Sequence, residues 1–264
     1  MNLSESSMST STPMSTSTVV PTSSTPTASS VSASASASAK ILVTNAAKHQ
    51  AASIADLIMM AMTEECCLHF CGSGYGLADF RKMMVTLVER EDSQYSYRNT
   101  WVALDGEKVV GAAVSYDGAD LHQLRRPFLA NSLVLIGKDH SGMDDETQAG
   151  ELYLDSLAVL PAYRRRGIAR RLIEVTCERA LKLGLPCVGL LVDKTNPDAE
   201  SCYVSAGFRH VNDCSWGGHA MKHFQRCIVQ EGNQTDRRHK TQTAFGKFPA
   251  MPQSIKLPNS HEQP

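Results

Sequence analysis

Five arginines crowd the junction Val159-Leu-Pro-Ala-Tyr-Arg164-Arg165-Arg166-Gly167-Ile168-Ala169-Arg170-Arg171, where an apolar strand pattern runs into an amphipathic helix pattern. A helix N-terminus carries about half a positive charge and several unpaired N–H groups. Each cation placed there is disfavoured by ~0.3–1 kcal/mol. No acidic residue offsets these arginines until Glu174. An anion held at the helix start accounts for the crowding; the alternative is a solvated basic face that tolerates the dipole. Gly167 removes the Cβ that would keep a phosphate off the backbone, and Ala169 keeps the next turn small.

The part of the chain that can fold around this junction is limited. Residues 1–39 are mostly Ser, Thr and Ala, and cannot bury enough apolar surface to offset chain entropy, so disorder is expected there. Residues 228–264 are polar, aperiodic and rich in proline, and read as a disordered tail. Residues 40–227 remain, enough for one domain with an ordinary core. A net charge of -1 gives no overall attraction to nucleic acid or to an anionic membrane. No apolar run is long enough for a transmembrane helix, and no basic residue precedes an apolar stretch near the N-terminus, so no secretory signal is expected. The eight cysteines include no CxxC pair, which fits free thiols in a reducing cytoplasm.

Strand and helix patterns alternate through this region. Ile41–Thr44 predicts a strand; Ile54, Leu57, Ile58, Ala61 and Met62 draw a helical stripe within 49–66; Phe80, Met83, Met84 and Leu87 draw another. Asp105-Gly106 between two apolar runs predicts a hairpin. Residues 117–150 exceed a normal connection and contain a helical stretch near Leu121–Ile136 and the acidic Asp144, Asp145 and Glu146. Glu151–Val159 predicts a strand, 166–183 a helix with Ile168, Leu172 and Val175 inward, and Val188–Val192 a strand. Asn196-Pro197 opens a short helix, since Asn caps well and Pro suits the first turn. Phe208–Val211 and Ala220–Phe224 close the series, with Trp216, Gly217 and Gly218 at the turn between them. The reading is α/β (α+β), with a mixed sheet flanked by helices.

The junction resembles motif A of the GNAT superfamily of acetyl-CoA-dependent N-acyltransferases: Arg164-x-x-Gly167-x-Ala169, preceded by Leu157-Ala158-Val159-x-Pro161. A second family-like element follows, Asn196-x-x-Ala199-x-x-x-Tyr203-x-x-x-Gly207-Phe208. The resemblance spans about 41–224 and implies a mostly antiparallel central sheet of that fold. The 117–150 insert departs from the family pattern and bears on the acceptor pocket. The resemblance implies that Arg164, Arg165, Arg166, Gly167, Ile168 and Ala169 hold the coenzyme pyrophosphate. It also implies that Leu157, Ala158 and Val159 form the strand against which the pantetheine arm pairs, and that Asn196 contacts that arm or holds the second strand. Tyr203 resembles the family's general acid.

An amine near pKa ~10.4 must lose a proton before it attacks. Glu151 and Asp155 are the candidate bases; four apart on one strand, they share a face with Tyr153. The implied activity is transfer of an acetyl group from acetyl-CoA to a small-molecule or peptide amine by direct attack, with no metal. A catalytically inactive acetyl-CoA sensor and an enzyme for a longer acyl-CoA are the alternatives. Dimers are common in the family, so a homodimer is an open expectation, with neither nucleic acid nor membrane as partner. Glu65-Cys66-Cys67-Leu68-His69-Phe70-Cys71 matches no common zinc spacing. The resemblance implies that this helix–loop–helix region borders the acceptor, with His69 and Tyr75 as pocket residues.

Overall fold

In a computed structural model of the chain, residues 40–228 are described. The expected disordered segments, 1–39 and nearly all of 228–264, lie outside them. The elements are β1 (Leu42–Asn45), α1 (Ala51–Met62), α2 (Glu64–His69), α3 (Leu77–Glu89), β2 (Thr100–Asp105), β3 (Lys108–Asp117), α4 (Leu121–Leu135), β4 (Leu152–Val159), α5 (Ile168–Lys182), β5 (Cys187–Asp193), α6 (Pro197–Ser205), β6 (Arg209–Trp216) and β7 (His219–Cys227). Seven strands form one sheet in the order β1-β2-β3-β4-β5-β7-β6. All neighbours are antiparallel except β4 and β5. This is the mixed, mostly antiparallel sheet expected from the sequence.

Both faces of the sheet are covered, which is why β3 is apolar almost throughout rather than alternating. Ile54 and Ile58 of α1, Phe80 and Met84 of α3 and Phe128 of α4 pack with Val102 and Val114 on one face. Ile168, Leu172 and Ile173 of α5 pack with Val110, Leu154 and Val188 on the other. The buried stripe of α5 runs through Ile168, Leu172, Ile173, Thr176, Cys177 and Ala180, while Val175, expected inward, is only half-buried. β6 and β7 extend beyond the expected spans. Their apolar pattern is weak because β6 is an edge strand with mostly exposed residues. Gly217 and Gly218, both with positive φ, make the two-residue turn between them.

The single helix expected within 49–66 is two helices. Thr63 has φ 74 and ψ 155, a region almost confined to glycine, and its hydroxyl accepts the Cys66 N–H at 3.3 Å to start α2. No periodicity signal marks a break of this kind. Strain of ~1–3 kcal/mol attends such a residue, and glycine gives back ~0.5–1 kcal/mol of it in backbone entropy. Thr63→Gly is therefore expected to raise stability by about 1 kcal/mol in urea unfolding; a loss of stability contradicts the strain.

Candidate active site

β4 and β5 start as neighbours and then separate. Their ladder holds only Leu152 with Val188 and Tyr153 with Gly189. Beyond that rung the two parallel strands part toward their C-terminal ends, and β4 keeps a partner only on its β3 side. A cavity of about 430 Å³ opens in the gap. β4 contributes Tyr153, Asp155, Ser156 and Leu157 to it; β5 and the turn after it contribute Leu191, Asp193 and Asn196; α6 contributes Tyr203.

The arginine turn stands at the same end, where β4 runs into α5. It is exposed, and both Arg165 (φ 62) and Gly167 (φ 75) are left-handed, a curl that gathers successive N–H groups into an anion-binding concavity. Arg164 N–H donates to Pro161 O and Arg171 N–H to Gly167 O. Among the described residues, no backbone N–H from Arg165 to Arg170 has an acceptor. None of the five arginines is in an ion pair among those residues, and Glu174 pairs with Arg226 instead. Arg164 curls back, donating from Nε to Val159 O at 3.1 Å. Arg171 donates to Ile41 O at 2.8 Å, and Arg166 stacks over the Tyr163 ring at 5.1 Å. Six open N–H groups with uncompensated cations around them fit a pyrophosphate. Ala158 and Val159 are buried in the two cores, and Ile168 is buried under the turn.

The two candidate bases do not share a site, so the shared face expected for them is corrected. β3 pairs Val114 with Ser156 and Ser115 with Leu154, which leaves Asp155 unpaired as the extra residue of a β-bulge. The bulge breaks the period of two on which the shared face depended. Asp155 lines the cavity, and Ser156 Oγ donates to it at 2.7 Å. Burial raises its carboxyl to about 6, against the opposing pull of hydrogen bonds and of Arg125.

Glu151 lies elsewhere, 1% exposed and outside the cavity lining. His223 Nε2 and Gln225 Nε2 stand 2.9 and 2.8 Å from its Oε2, and Thr147 Oγ1 donates to Oε1 at 2.7 Å. Burial pushes this carboxyl up, but those hydrogen bonds and the His223 charge outweigh it and hold it below the usual range. A carboxylate so enclosed ties β4 to β7 and has no open face for a substrate.

Tyr203 lines the cavity from α6 with its ring against Phe208 at 5.7 Å. Burial, then the neighbouring Cys202, push its phenol well above the ordinary value, so it stays protonated. Asn196 Oδ1 accepts the Ala199 N–H at 3.1 Å and so starts α6 where β5 has parted from β4.

Several lining residues carry no sequence signal: Tyr95 from a loop, Thr63, Glu65 and Cys66 from the broken helix, and Trp216 and His219 from the β6–β7 turn. His69 and Tyr75, expected at the acceptor, are not in the lining: the His69 carbonyl takes the Lys138 ammonium, and Tyr75 packs on Gly137. The insert supplies Glu146 to the wall. Glu146 accepts from Tyr116 Oη at 2.8 Å and from Gln94 Nε2 at 3.2 Å, and pairs with buried Arg125. Arg125 also holds Asp145 at 3.1 Å; of the acidic run only Glu146 is buried, while Asp144 and Asp145 are exposed.

A parted parallel pair with an open turn of N–H groups at its mouth makes a site that an extended, phosphate-bearing molecule fits. Residues 76–208, half of the chain, match the acetyltransferase (GNAT) family, and the chain belongs to that family. A stretch of 70 residues is 39% identical to acetyltransferase Atu2258 of Agrobacterium fabrum; it is 26% of this chain and 50% of that protein, so the chain spans about half the length of that relative. An acetyltransferase crystal structure superposes with a TM-score of 0.60 at 24% identity, covering 71% of this chain and 100% of the other. An N-acetyltransferase from Staphylococcus aureus Mu50 gives a TM-score of 0.59 at 20% identity over 70% and 99% of the two chains. These two likenesses establish the fold. No helix among the described residues is long and apolar enough to cross a membrane.

Proposed function

We propose that the chain is an acetyl-CoA-dependent N-acetyltransferase that joins donor and amine in one ternary complex and acts in the cytoplasm. The observation that carries this reading is an open N–H turn beside a cavity between parted strands, lined by the Asp155 carboxylate from β4 and the Tyr203 phenol from α6. Acetyl-CoA supplies an activated acetyl group as a thioester. Arg165 to Arg170 present their N–H groups to its pyrophosphate, and the free edge of β4 at Leu157 lines up its pantetheine arm. Asp155 takes the proton that leaves the acceptor ammonium, freeing the lone pair for attack on the carbonyl carbon. Tyr203 supplies a proton to the sulfur as the carbon–sulfur bond breaks. Well-positioned acid–base groups of this kind contribute about 10²–10⁴-fold each.

Calorimetry with acetyl-CoA is the direct test, and no heat of binding at millimolar coenzyme removes the reading. Tyr203→Phe is expected to lower kcat roughly 10–100-fold while acetyl-CoA affinity holds within about twofold, because the hydroxyl acts on the departing sulfur and not on the phosphates. Turnover unchanged in the phenylalanine variant removes Tyr203 as the acid.

A further inference from the structure

Asp155 and Ser156 are neighbours in β4, and neighbours in a regular strand point to opposite faces of the sheet. Here both line the cavity, and Ser156 Oγ donates to Asp155 Oδ1 at 2.7 Å. The bulge makes this contact possible. Between the Ser115–Leu154 and Val114–Ser156 pairs β4 has one residue more than β3, so the alternation of faces slips by one at Asp155. Leu154, before the slip, packs in the core that α5 shares.

The bulge is gripped from the α5 face. Arg179 Nη1 donates to Ser115 O at 2.7 Å and to Ser115 Oγ at 3.3 Å, at the β3 residue where the register shifts. Its Nη2 donates to Asn99 Oδ1 at 3.2 Å, and Asn99 Nδ2 donates to the carbonyls of Ser93 and Gln94 at 3.1 and 3.4 Å. The next residue of that loop, Tyr95, lines the cavity. One guanidinium thus joins the strand pair that carries Asp155 to the loop that carries Tyr95. Arg179 is half-buried, and its acceptors among the described residues are all neutral. No ion pair there offsets its lost hydration, and burial pulls its pKa below the ordinary guanidinium value.

We propose that Arg179 is a positioning residue for acetyl transfer: it holds the bulge from behind, and the bulge keeps Ser156 beside Asp155. This rests on Asp155 acting as the base in the reading above. The charged or titratable groups that share the cavity with Asp155 are Glu65, Glu146, Asp193 and His219, with Arg125 behind Glu146; burial keeps the phenols and the Cys66 thiol of the lining protonated. Arg179 is not among them, so it acts through the bulge and not through its charge. Burial pushes the Asp155 carboxyl up, and the Ser156 hydroxyl is the strongest of the contacts that oppose it. When the bulge relaxes, Ser156 turns away and the carboxyl rises further.

The test follows the Asp155 carboxyl by carbon-13 NMR across pH, in the full chain labelled at its aspartates; its signal is the one missing from Asp155→Asn. The parent midpoint is expected at about 6. In Arg179→Met it is expected about one pH unit higher, in Ser156→Ala the same, and in the double variant no higher than in either alone, because both act on one hydrogen bond. With butylamine as acceptor, the ratio of kcat/KM at pH 8 to that at pH 6 becomes about fivefold larger than in the parent chain. Arg179→Lys keeps a donor for Ser115 O and titrates with the parent chain. Acetyl-CoA affinity by calorimetry holds within about twofold in the Arg179 variants and reports that they are folded, since the arginine turn lies about three helical turns away. Arg179→Gln, which is too short to bridge Ser115 and Asn99, takes the place of Arg179→Met if the latter does not fold. A midpoint at or below the parent's when Arg179 is replaced by Met or Gln, or shifts that add in the double variant, overturns the inference. Those outcomes leave acetyl transfer standing. Full turnover in Asp155→Asn, or absence of acetyl-CoA binding, is the separate result that removes the reading beneath it.

Discussion

Asp155→Asn is expected to lower kcat by about 10²–10⁴-fold and, at pH 8, to make the protein more stable. The first effect follows from the proposed role of Asp155 as base; the second follows from its burial on the bulge of β4, which drives this carboxyl up from 3.8 to about 6. The folded state keeps a proton here that the unfolded chain releases near the ordinary aspartate value. Its stabilising effect is therefore complete below about pH 4 and is lost as pH rises through about 6. Above that, the ionised, half-buried group costs the fold about 1–3 kcal/mol, and the isosteric amide removes that cost.

Activity has the opposite sign. With Asp155 as the proposed base, only its ionised carboxylate accepts a proton, so kcat/KM of the parent chain is expected to rise with pH through about 6, and Asp155→Asn to lack that limb. Acetyl-CoA affinity is expected to be unaffected, since the N–H groups proposed to hold it lie elsewhere, from Arg165 to Arg170. Thermal scans at pH 5 and pH 8 with steady-state rates across the same range check both halves. A variant that keeps its activity, or that melts lower at pH 8, contradicts the assignment.

The second large effect is on folding. Gly189 of β5 has no side chain because the Glu151 carboxylate passes over it: a Cβ there stands 1.9 Å from Oε2 and 2.3 Å from Cδ. Glu151 has no room to yield, being 1% exposed and engaged by His223, Gln225 and Thr147. Gly189→Ala must displace it and leave a buried charge without its partners, at a cost of about 3–5 kcal/mol. For a domain of this size that is a fall in Tm of roughly 10 °C or more. Gly189 is also in the last rung before β4 and β5 part, so acetyl transfer falls as well. Adding Glu151→Ala to Gly189→Ala is expected to recover part of the stability, because the colliding carboxylate is gone. A single variant that melts with the parent chain contradicts the collision.

Much of the fold is local in origin and legible in the sequence. The stripe of Phe80, Met83, Met84 and Leu87 gives α3, Asp105-Gly106 gives the β2–β3 turn, and Asn196-Pro197 gives the start of α6. The arginine turn belongs to the same kind of signal, since helix caps and dipoles act over a few residues. The candidate site is legible where it is built from such segments, at Arg164–Ala169, Asn196 and Tyr203, and in Asp155 and Leu157 of the strand that leads into the turn.

Long-range pairing decided the rest. Asp155 and Glu151 are equivalent by alternation, and a register shift against β3 sends one to the cavity while β7 claims the other. Thr63 leaves its helix because the packed α1 and α2 around it offset a strain that no propensity predicts. Glu146 and Arg125, with 20 residues between them, meet only when the insert folds back beneath Tyr116 and Gln94. Sequence by itself determined which segments are strands and helices and where an anion is welcome, because those depend on neighbours a few bonds away. Tertiary structure alone decided which carboxylate faces the gap and what lines the acceptor's end, because both depend on strand register and burial, which arise between segments distant in the chain.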